Sequence, residues 1–155
     1  MKTSICLSVA LCLVAITTAV SDDQKSSKPQ GMSLRLELFV SDLEKSGDFY
    51  TNVLGFERLK GEADYVPVRS GSVLIGLCQA ATLKSKHYFN PELQKDRRGL
   101  GTEIVLEVED VRAFFEKVKA SGYKKISSPL WKQPWGATDF RIIDPDGYYL
   151  RITSR

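Results

Sequence analysis

Apolar and polar positions alternate along residues 34–40, where leucine or valine stands at every even position. A period of two is typical of a strand with one buried face. Ser41 and Glu44 follow with the spacing of a capping box, so the sequence predicts that a helix begins here and ends at Gly55. Short apolar runs between glycine-containing turns predict three further strands, at residues 56–59, 65–68 and 73–78.

The same order of elements recurs in the second half of the chain. Residues 103–108 predict a strand, Glu109-Asp110 begins a helix, and Gly122 ends it. Three more strands are predicted at residues 124–127, 138–143 and 149–153. Each helix follows an apolar–polar–Asp–apolar tetrapeptide and contains an aromatic pair. An internal duplication of one βαβββ unit explains this pattern.

The duplication predicts a single α+β domain over residues 33–155. Its first module spans residues 33–79 and its second module spans residues 101–155. The connecting loop at 80–100 is polar and long, and a connection of this length is either functional or a linker between modules.

The N-terminal segment has a different character. A short basic start precedes an apolar run at residues 5–20, and the small residues Ala19 and Ser21 suit a signal peptidase. We therefore expect a signal peptide at 1–21 that exports the protein to a secreted or extracytoplasmic location, followed by a flexible linker at 22–32. The apolar run is shorter than the roughly 20 residues that a membrane-spanning helix prefers. An uncleaved membrane anchor is the alternative.

Composition and charge exclude several classes of protein. The formal net charge is only +3 and the basic residues are scattered, so we expect no nucleic-acid partner. Cys6 and Cys12 lie in the predicted signal peptide, which leaves Cys78 alone and excludes an intrachain disulfide in the mature protein. The sequence contains no glycine-rich phosphate loop, no Gly-x-Ser-x-Gly elbow and no paired-cysteine zinc spacing.

Two stretches of the sequence resemble the signatures of a known family. Residues 39–56 (FVSDLEKSGDFYTNVLGF) resemble the first-module signature of the vicinal-oxygen-chelate superfamily, which includes glyoxalases, dioxygenases and bleomycin-resistance proteins. Pro134-Trp135-Gly136 and Asp144-Pro145-Asp146-Gly147 resemble its second-module signature, in particular that of the bleomycin-resistance-like branch. The resemblance covers nearly all of residues 33–155. It implies the glyoxalase/bleomycin-resistance fold, in which two tandem βαβββ modules form a curved mixed β-sheet cleft, but no single activity.

Many members of this family hold a divalent metal with one residue from each of four strands, normally His, Gln or Glu. The resemblance places these four positions at Arg35, Ile75, Glu103 and Arg151. Only Glu103 is a competent ligand, because guanidinium and alkyl groups do not coordinate metals. A shift of one residue would introduce Glu37 or Gly76, and a bulge would introduce Cys78, but no histidine. The only histidine, His87, lies in the connecting loop.

We therefore expect no metal or other cofactor, and the sequence favours a binding protein over an enzyme. Arg35, Glu103 and Arg151 would converge in the cleft, where an arginine–carboxylate pair is stable and the surplus positive charge would receive an anionic ligand. The residues predicted to contact the ligand are Arg35, Phe39, Glu103, Trp131, Trp135, Phe140, Tyr148 and Arg151.

Some roles stay open at this stage. Core packing is the alternative role for Trp135, and Asp144-Pro145-Asp146-Gly147 is predicted to be a hairpin turn. The resemblance also implies a homodimer, and we expect no membrane partner once the signal peptide is removed. The alternative function is that of a divalent-metal-dependent lyase, isomerase or dioxygenase with an atypical site.

Overall fold

The first module folds as predicted, as a strand, a helix and three further strands. The computed structural model describes residues 32–91 and 98–155, so the predicted signal peptide lies outside the described residues. The elements are β1 (Leu36–Val40), α1 (Leu43–Asp48) with a π-helical continuation (Phe49–Val53), β2 (Glu57–Arg58), β3 (Tyr65–Ser70) and β4 (Val73–Gln79). They form a four-stranded sheet in the order β1-β4-β3-β2, in which β1 and β4 are parallel.

The second module repeats this architecture. Its elements are β5 (Glu103–Val108), α2 (Val111–Ala120), β6 (Ile126–Lys132), β7 (Thr138–Ile143) and β8 (Tyr149–Ser154). The strand order is β5-β8-β7-β6, with β5 parallel to β8. The identical order in the two sheets confirms the predicted fold of two βαβββ modules. The strand predicted at 124–127 was placed too early, since β6 runs to Lys132 and pairs with β7 through two register shifts.

The core lies on one face of each sheet. Alternate residues of a strand point to opposite faces, so the even-numbered leucines and valine at 36–40 face inward with Ile75 and Leu77, as the alternation predicted. In the second module, Ile104, Phe140 and Ile152 are buried in the same cluster. Residues 33–155 form one compact unit. No helix of the described part of the chain is long and apolar enough to cross a membrane.

The start of α1 differs from the prediction. Asp42, and not Ser41, caps the helix, because its carboxylate accepts a hydrogen bond from the backbone N–H of Lys45 at 3.0 Å. Glu44 does not reach back to the chain but pairs with Arg58, 2.6 Å away. Asp110 caps α2 in the same way as Asp42 caps α1. The predicted capping box was therefore wrong, and the Asp of the repeated tetrapeptide is the cap in both modules.

The turn before β8 joins the two modules. The Asp144 carboxylate accepts hydrogen bonds from the backbone N–H groups of Asp146, Gly147 and Tyr148, each within 2.9 Å. Gly147 has a φ of +104°, which suits glycine in a turn. The hydroxyl of Tyr148 donates to the backbone oxygen of Phe39 at 3.2 Å and accepts from its N–H at 3.1 Å. The predicted hairpin turn is thus confirmed, and it also binds β1 of the first module.

Candidate functional site

The second sheet has a polar face opposite its core face, which we call the second-module face. The core residues of β5, β7 and β8 alternate with residues that point away from the core. Cross-strand pairing places Trp131 of β6 opposite Asp139, and Arg141 opposite Arg151, on this same face. The members of the second-module face are Glu103, Val105, Glu107, Trp131, Asp139, Arg141, Ile143, Tyr149, Arg151 and Thr153.

Four charged side chains of the second-module face form a continuous chain of ion pairs. Arg141 lies between two carboxylates, with its Nε 3.7 Å from Glu103 Oε1 and its Nη1 3.7 Å from Asp139 Oδ1. Arg151 Nε lies 3.5 Å from Glu103 Oε2. Gln133 donates a hydrogen bond to Asp139 Oδ1 at 2.8 Å. Two arginines therefore balance two carboxylates, so this chain of ion pairs has no net formal charge.

The chain of ion pairs also contains two buried polar atoms that lack hydrogen bonds. Among the described residues, the buried side-chain atoms without a hydrogen-bond partner are Asp139 Oδ2 and Arg151 Nε. The Asp139 residue has no exposed surface at all. Buried polar groups in folded proteins nearly always have partners, because an unsatisfied group costs about 1–3 kcal/mol. Arg151 Nε still faces Glu103 Oε2 in the ion pair at 3.5 Å, so Asp139 Oδ2 is the atom of this pair that has neither a hydrogen bond nor an ion-pair partner.

A groove of about 430 Å³ lies at one end of the second-module face. Arg98, Glu103 and Tyr149 contribute polar groups to it, and Gly99 and Gly101 form part of its wall. Gly99 and Gly101 have positive φ values of +68° and +77°. A Cβ at Gly99 would collide with the side chain of Tyr148. The groove is thus shaped by residues at the N-terminal end of β5 and by the turn before β8.

The first sheet carries a second polar cluster, around Glu37. Its carboxylate lies 2.6 Å from Arg35 Nε, and it accepts hydrogen bonds from the Cys78 thiol at 3.1 Å and from the Tyr65 hydroxyl at 3.3 Å. Burial, followed by the hydrogen bond to Glu37, raises the pKa of Cys78 to about 12. The thiol is therefore a protonated hydrogen-bond donor at neutral pH. Cys78 is half-buried.

The two arginines that the sequence placed in one cleft lie in different clusters. Arg35 pairs with Glu37 of its own module, whereas Arg151 pairs with Glu103. Within residues 32–91 and 98–155, no ion pair joins Arg35 to Glu103 of the second module. The structure thus pairs Arg151 with Glu103, and Arg35 with Glu37.

The predicted aromatic residues have different environments. Phe39 stacks on Phe89 of the connecting loop, with centroids 4.7 Å apart, and His87 lies 5.5 Å from the Phe39 ring. Trp131 and Trp135 are 66% and 64% exposed, so the alternative that Trp135 packs in the core is wrong. Trp131 belongs to β6 on the second-module face, and Trp135 follows that strand.

Two residues predicted to contact the ligand make contacts within the fold. Phe140 is completely buried and its ring packs 5.0 Å from that of Phe115 on α2. Its place in β7 between Asp139 and Arg141 puts it on the core face. Tyr148 uses its hydroxyl for the hydrogen bonds to Phe39 that join the modules. Neither side chain is presented on the second-module face.

Comparisons with known proteins agree with this architecture. The model of the Glyoxalase/Bleomycin resistance protein/Dioxygenase superfamily matches residues 33–152. The chain belongs to this superfamily. A lactoylglutathione lyase of Neisseria meningitidis serogroup A is 30% identical over 128 residues, covering 79% of this chain and 89% of that protein. A bleomycin resistance protein of Geobacillus stearothermophilus is 29% identical over 111 residues, covering 69% and 84%.

The fold of this superfamily member is also shared with solved structures. A glyoxalase/bleomycin resistance protein/dioxygenase from Nocardioides superposes with a TM-score of 0.65 at 21% identity, covering 83% of this chain and 86% of that protein. At that identity the likeness shows the fold alone. The relatives carry names of both a lyase and a resistance protein, so the site residues have to decide between these activities.

The metal positions of the superfamily do not fit a metal in this member. Ile75 was placed among them in error, because it is fully buried on the core face. Gly76 is the β4 residue on the polar face, and a Cβ there would collide with Glu37 and Tyr65. The four positions are then Arg35, Gly76, Glu103 and Arg151. A single carboxylate, already between two arginines, is a poor donor set for a divalent cation.

Sequence reasoning missed two members of the ion-pair chain, Asp139 and Arg141. A detectable pattern was present, since Asp139, Phe140, Arg141 and Ile142 alternate polar and apolar along β7. That alternation predicts that the two charged residues share the polar face. It could not show that Arg141 would lie between Asp139 and Glu103.

Proposed function

We propose that this superfamily member binds a small molecule on its second-module face without a metal ion. The observation that supports this most strongly is the groove of about 430 Å³ beside Glu103, whose carboxylate is held between Arg141 and Arg151. Asp139 Oδ2 is in addition a buried acceptor without a hydrogen bond, and a donor that reached it would recover the cost of leaving it unsatisfied. The groove beside Glu103 provides room for the rest of the molecule.

The groups on this face support the proposal of binding over metal-assisted catalysis. A metal-assisted reaction needs several converging donors, whereas Glu103 has Arg141 and Arg151 as its neighbours. The cysteine of the first module is held as a protonated donor, so it is not an activated nucleophile. A divalent-metal-dependent lyase, isomerase or dioxygenase is the competing function, and the 30% identity to a lactoylglutathione lyase favours testing it.

Native mass spectrometry of the purified protein tests the proposal, since it detects a retained organic molecule and a retained metal in one spectrum. We expect added mass from a small organic molecule and none from a metal. Arg151→Gln should reduce the retained fraction roughly tenfold, because it removes an ion-pair partner of Glu103 beside the groove. Arg112→Gln, an identical change at an exposed position of α2, is the matched control and should retain the molecule.

Two results would reject this function. One is stoichiometric Fe, Mn, Ni or Zn in the protein as purified. The other is lactoylglutathione lyase activity, assayed with methylglyoxal and glutathione in the presence of added divalent metal, that is lost on treatment with a chelator.

We further propose that the protein acts as a homodimer. Arg35 and Glu37 lie on one sheet and Glu103 and Arg151 on another, without a described ion pair between the two sets. A second copy would supply the opposite wall of a cleft over the second-module face, including its exposed Trp131. Light scattering coupled to size-exclusion chromatography should give twice the mass of the chain, and a monomer at micromolar concentration would contradict this.

We also propose that the protein is exported and acts outside the cytosol. The basic start, the apolar run at residues 5–20 and the small residues before Asp22 support this proposal. N-terminal sequencing of the exported protein should begin at Asp22. Retention of Met1 in a membrane fraction would instead indicate the uncleaved anchor.

A further inference from the structure

The first sheet carries an open groove where the chain enters β1, beside the turn between β3 and β4. We call it the first-module groove, and its volume is about 710 Å³. Small-molecule sites typically have volumes of about 300–1,000 Å³. Its lining includes Ser33, Leu34, Arg35, Arg69, Ser72 and Leu74. The groove belongs to the first module, so it is a candidate site separate from the second-module face.

Two arginines approach this groove from opposite sides of β4. Arg69 of β3 is the cross-strand partner of Leu74. Arg35 directly precedes Leu36, which pairs with Ile75 on the other side of β4. Neighbouring strands lie about 4.8 Å apart, so the backbones of the two arginines are about 10 Å apart with Leu74 between them. Both arginines line the same groove, so a single anion between them can contact both.

Both guanidinium groups keep donors for a ligand. In the part of the chain that the structure describes, the Arg69 side chain takes part in no ion pair, although Glu57 is its other cross-strand partner. Arg35 Nε lies 2.6 Å from Glu37, but 59% of the Arg35 side chain stays exposed. An arginine has five N–H donors, so the pair with Glu37 leaves several of them open.

The charged residues that line the groove leave one positive charge in surplus, since they are Arg35, Arg69 and Glu37. The Glu37 carboxylate already accepts hydrogen bonds from Tyr65 and Cys78 besides its pair with Arg35. Glu57 does not line the groove, and it is exposed in β2, where water screens its charge. A monoanion would supply the missing partner through charge-assisted hydrogen bonds.

Apolar surface lies next to the two arginines. Leu34 is 87% exposed, and Leu74, between the arginines, is half-buried. Covering these side chains with an apolar group would remove their surface from water, which is favourable. The groove therefore suits an anion that carries a short apolar body better than a small inorganic anion.

We infer that the first-module groove binds a small organic monocarboxylate, with its carboxylate between Arg35 and Arg69 and its apolar body on Leu34 and Leu74. This inference goes beyond the proposed function, because it assigns a second site on the other module. The two sites are tested by different variants, so the failure of one leaves the other standing.

Hexanoate, hexanol and hexylammonium test the ligand class, because they share a six-carbon chain and differ in the charge of the head group. Two-dimensional ¹H–¹⁵N NMR of the full chain measures affinity and shows which backbone amides respond. We expect hexanoate to shift the amides around Arg35, Ser72 and Leu74 with a Kd of about 1 mM, and the other two compounds to bind roughly three- to tenfold more weakly. Equal binding of hexylammonium or hexanol, no binding of hexanoate, or shifts only outside the groove would overturn the inference.

The variant Arg69→Gln tests the anion contact. It should weaken hexanoate about three- to tenfold and leave hexanol unchanged, so that the preference for the carboxylate shrinks. A purely structural role of Arg69 would weaken both compounds by the same factor. Arg112→Gln, the same change at an exposed position of α2, is the matched control and should keep the preference. An unchanged preference in Arg69→Gln would reject this residue as the anion contact.

The variant Leu34→Ser tests the apolar contact separately. Leu34 is exposed, so the change should leave the fold intact and weaken hexanoate and hexanol by the same factor of about three. Leu100→Ser, at a 67% exposed leucine outside this groove, is the matched control and should leave both affinities unchanged. Equal affinities in Leu34→Ser and in the control would contradict the placement of the apolar body.

Discussion

The Asp146 carboxylate accepts two hydrogen bonds from Ser41, which lies 105 residues away in the sequence. The backbone N–H of Ser41 donates at 2.7 Å and the hydroxyl of Ser41 donates at 2.6 Å. The other carboxylate oxygen accepts from the hydroxyl of Ser46 at 2.8 Å. The Asp146 side chain is only 2% exposed. The turn that precedes β8 is therefore bound to the start of α1, which fixes one module on the other.

Removing the charge of Asp146 should destabilise the fold. Asp146→Asn weakens three hydrogen bonds to a buried charged acceptor, and we expect the free energy of unfolding to fall by about 2–3 kcal/mol. Urea unfolding monitored by circular dichroism measures the change. Asp48→Asn is the matched control and should change the stability by less than about 0.5 kcal/mol. Equal stability of the two variants would show that this contact does not hold the modules together.

Asp144 should make stability depend on pH in an unusual direction. Burial raises the pKa of its carboxyl from an ordinary value of 3.8 to about 6. The folded state then binds this proton more tightly than the unfolded state, so the contribution is present at low pH and is lost as pH rises through about 6. It amounts to at most about 3 kcal/mol.

The variant Asp144→Asn isolates this effect from other titrating groups. At each pH, the unfolding free energy of the variant is subtracted from that of the wild type. This difference should fall between about pH 4 and pH 6.5, because the wild type loses the contribution of protonated Asp144. Chemical denaturation over that range supplies the values. A difference that stays flat, or that rises with pH, would mean that Asp144 has no raised pKa.

Two glycine-to-alanine changes should have opposite effects. A Cβ at Gly76 would collide with Glu37 and with the Tyr65 ring, so Gly76→Ala should cost about 1–3 kcal/mol. Gly47 lies within α1, and its added Cβ would meet nothing closer than Arg58 Nη1 at 3.6 Å. Gly47→Ala should therefore stabilise the protein by about 0.5–1 kcal/mol. Thermal unfolding of both variants checks the signs, and destabilisation by both would contradict the packing described.

The Cys78 thiol should react slowly with alkylating reagents. Its pKa of about 12 leaves little thiolate at pH 8, because burial and Glu37 favour the protonated form. Glu37→Gln removes the carboxylate, so the pKa should fall and iodoacetamide should label Cys78 faster at the same pH. Peptide mass spectrometry measures the rate at this residue. Slower or unchanged labelling in Glu37→Gln would show that Glu37 does not control the thiol.

Local patterns predicted most of the fold. The bounds of β5 and β7 agree with the sequence prediction, because alternation and flanking turns act over a few residues. Along β4 the same reasoning failed by one residue. The apolar run from Val73 to Leu77 lacks alternation, so it could not show that Ile75 faces the core and Gly76 the polar side.

The site was harder to predict, because it depends on contacts between distant residues. The pairing of Glu103 with Arg151 followed from the family resemblance, but the place of Arg141 between Glu103 and Asp139 required the strand order. Tyr148 was expected to contact a ligand, and its binding to Phe39, 109 residues away, has no local pattern. The neutrality of the ion-pair chain is visible only once all four side chains are placed.

Metal titration of the chelator-treated full chain tests whether the second-module face lacks a metal site. Isothermal calorimetry with Ni²⁺, Zn²⁺, Mn²⁺ and Fe²⁺ should show no stoichiometric binding, because Arg35, Gly76 and Arg151 supply no metal ligand beside Glu103. Binding of one equivalent per chain that is abolished in Glu103→Gln would contradict the account. Such a result would place a metal at the second-module face and return the protein to the metal-dependent branch of its superfamily.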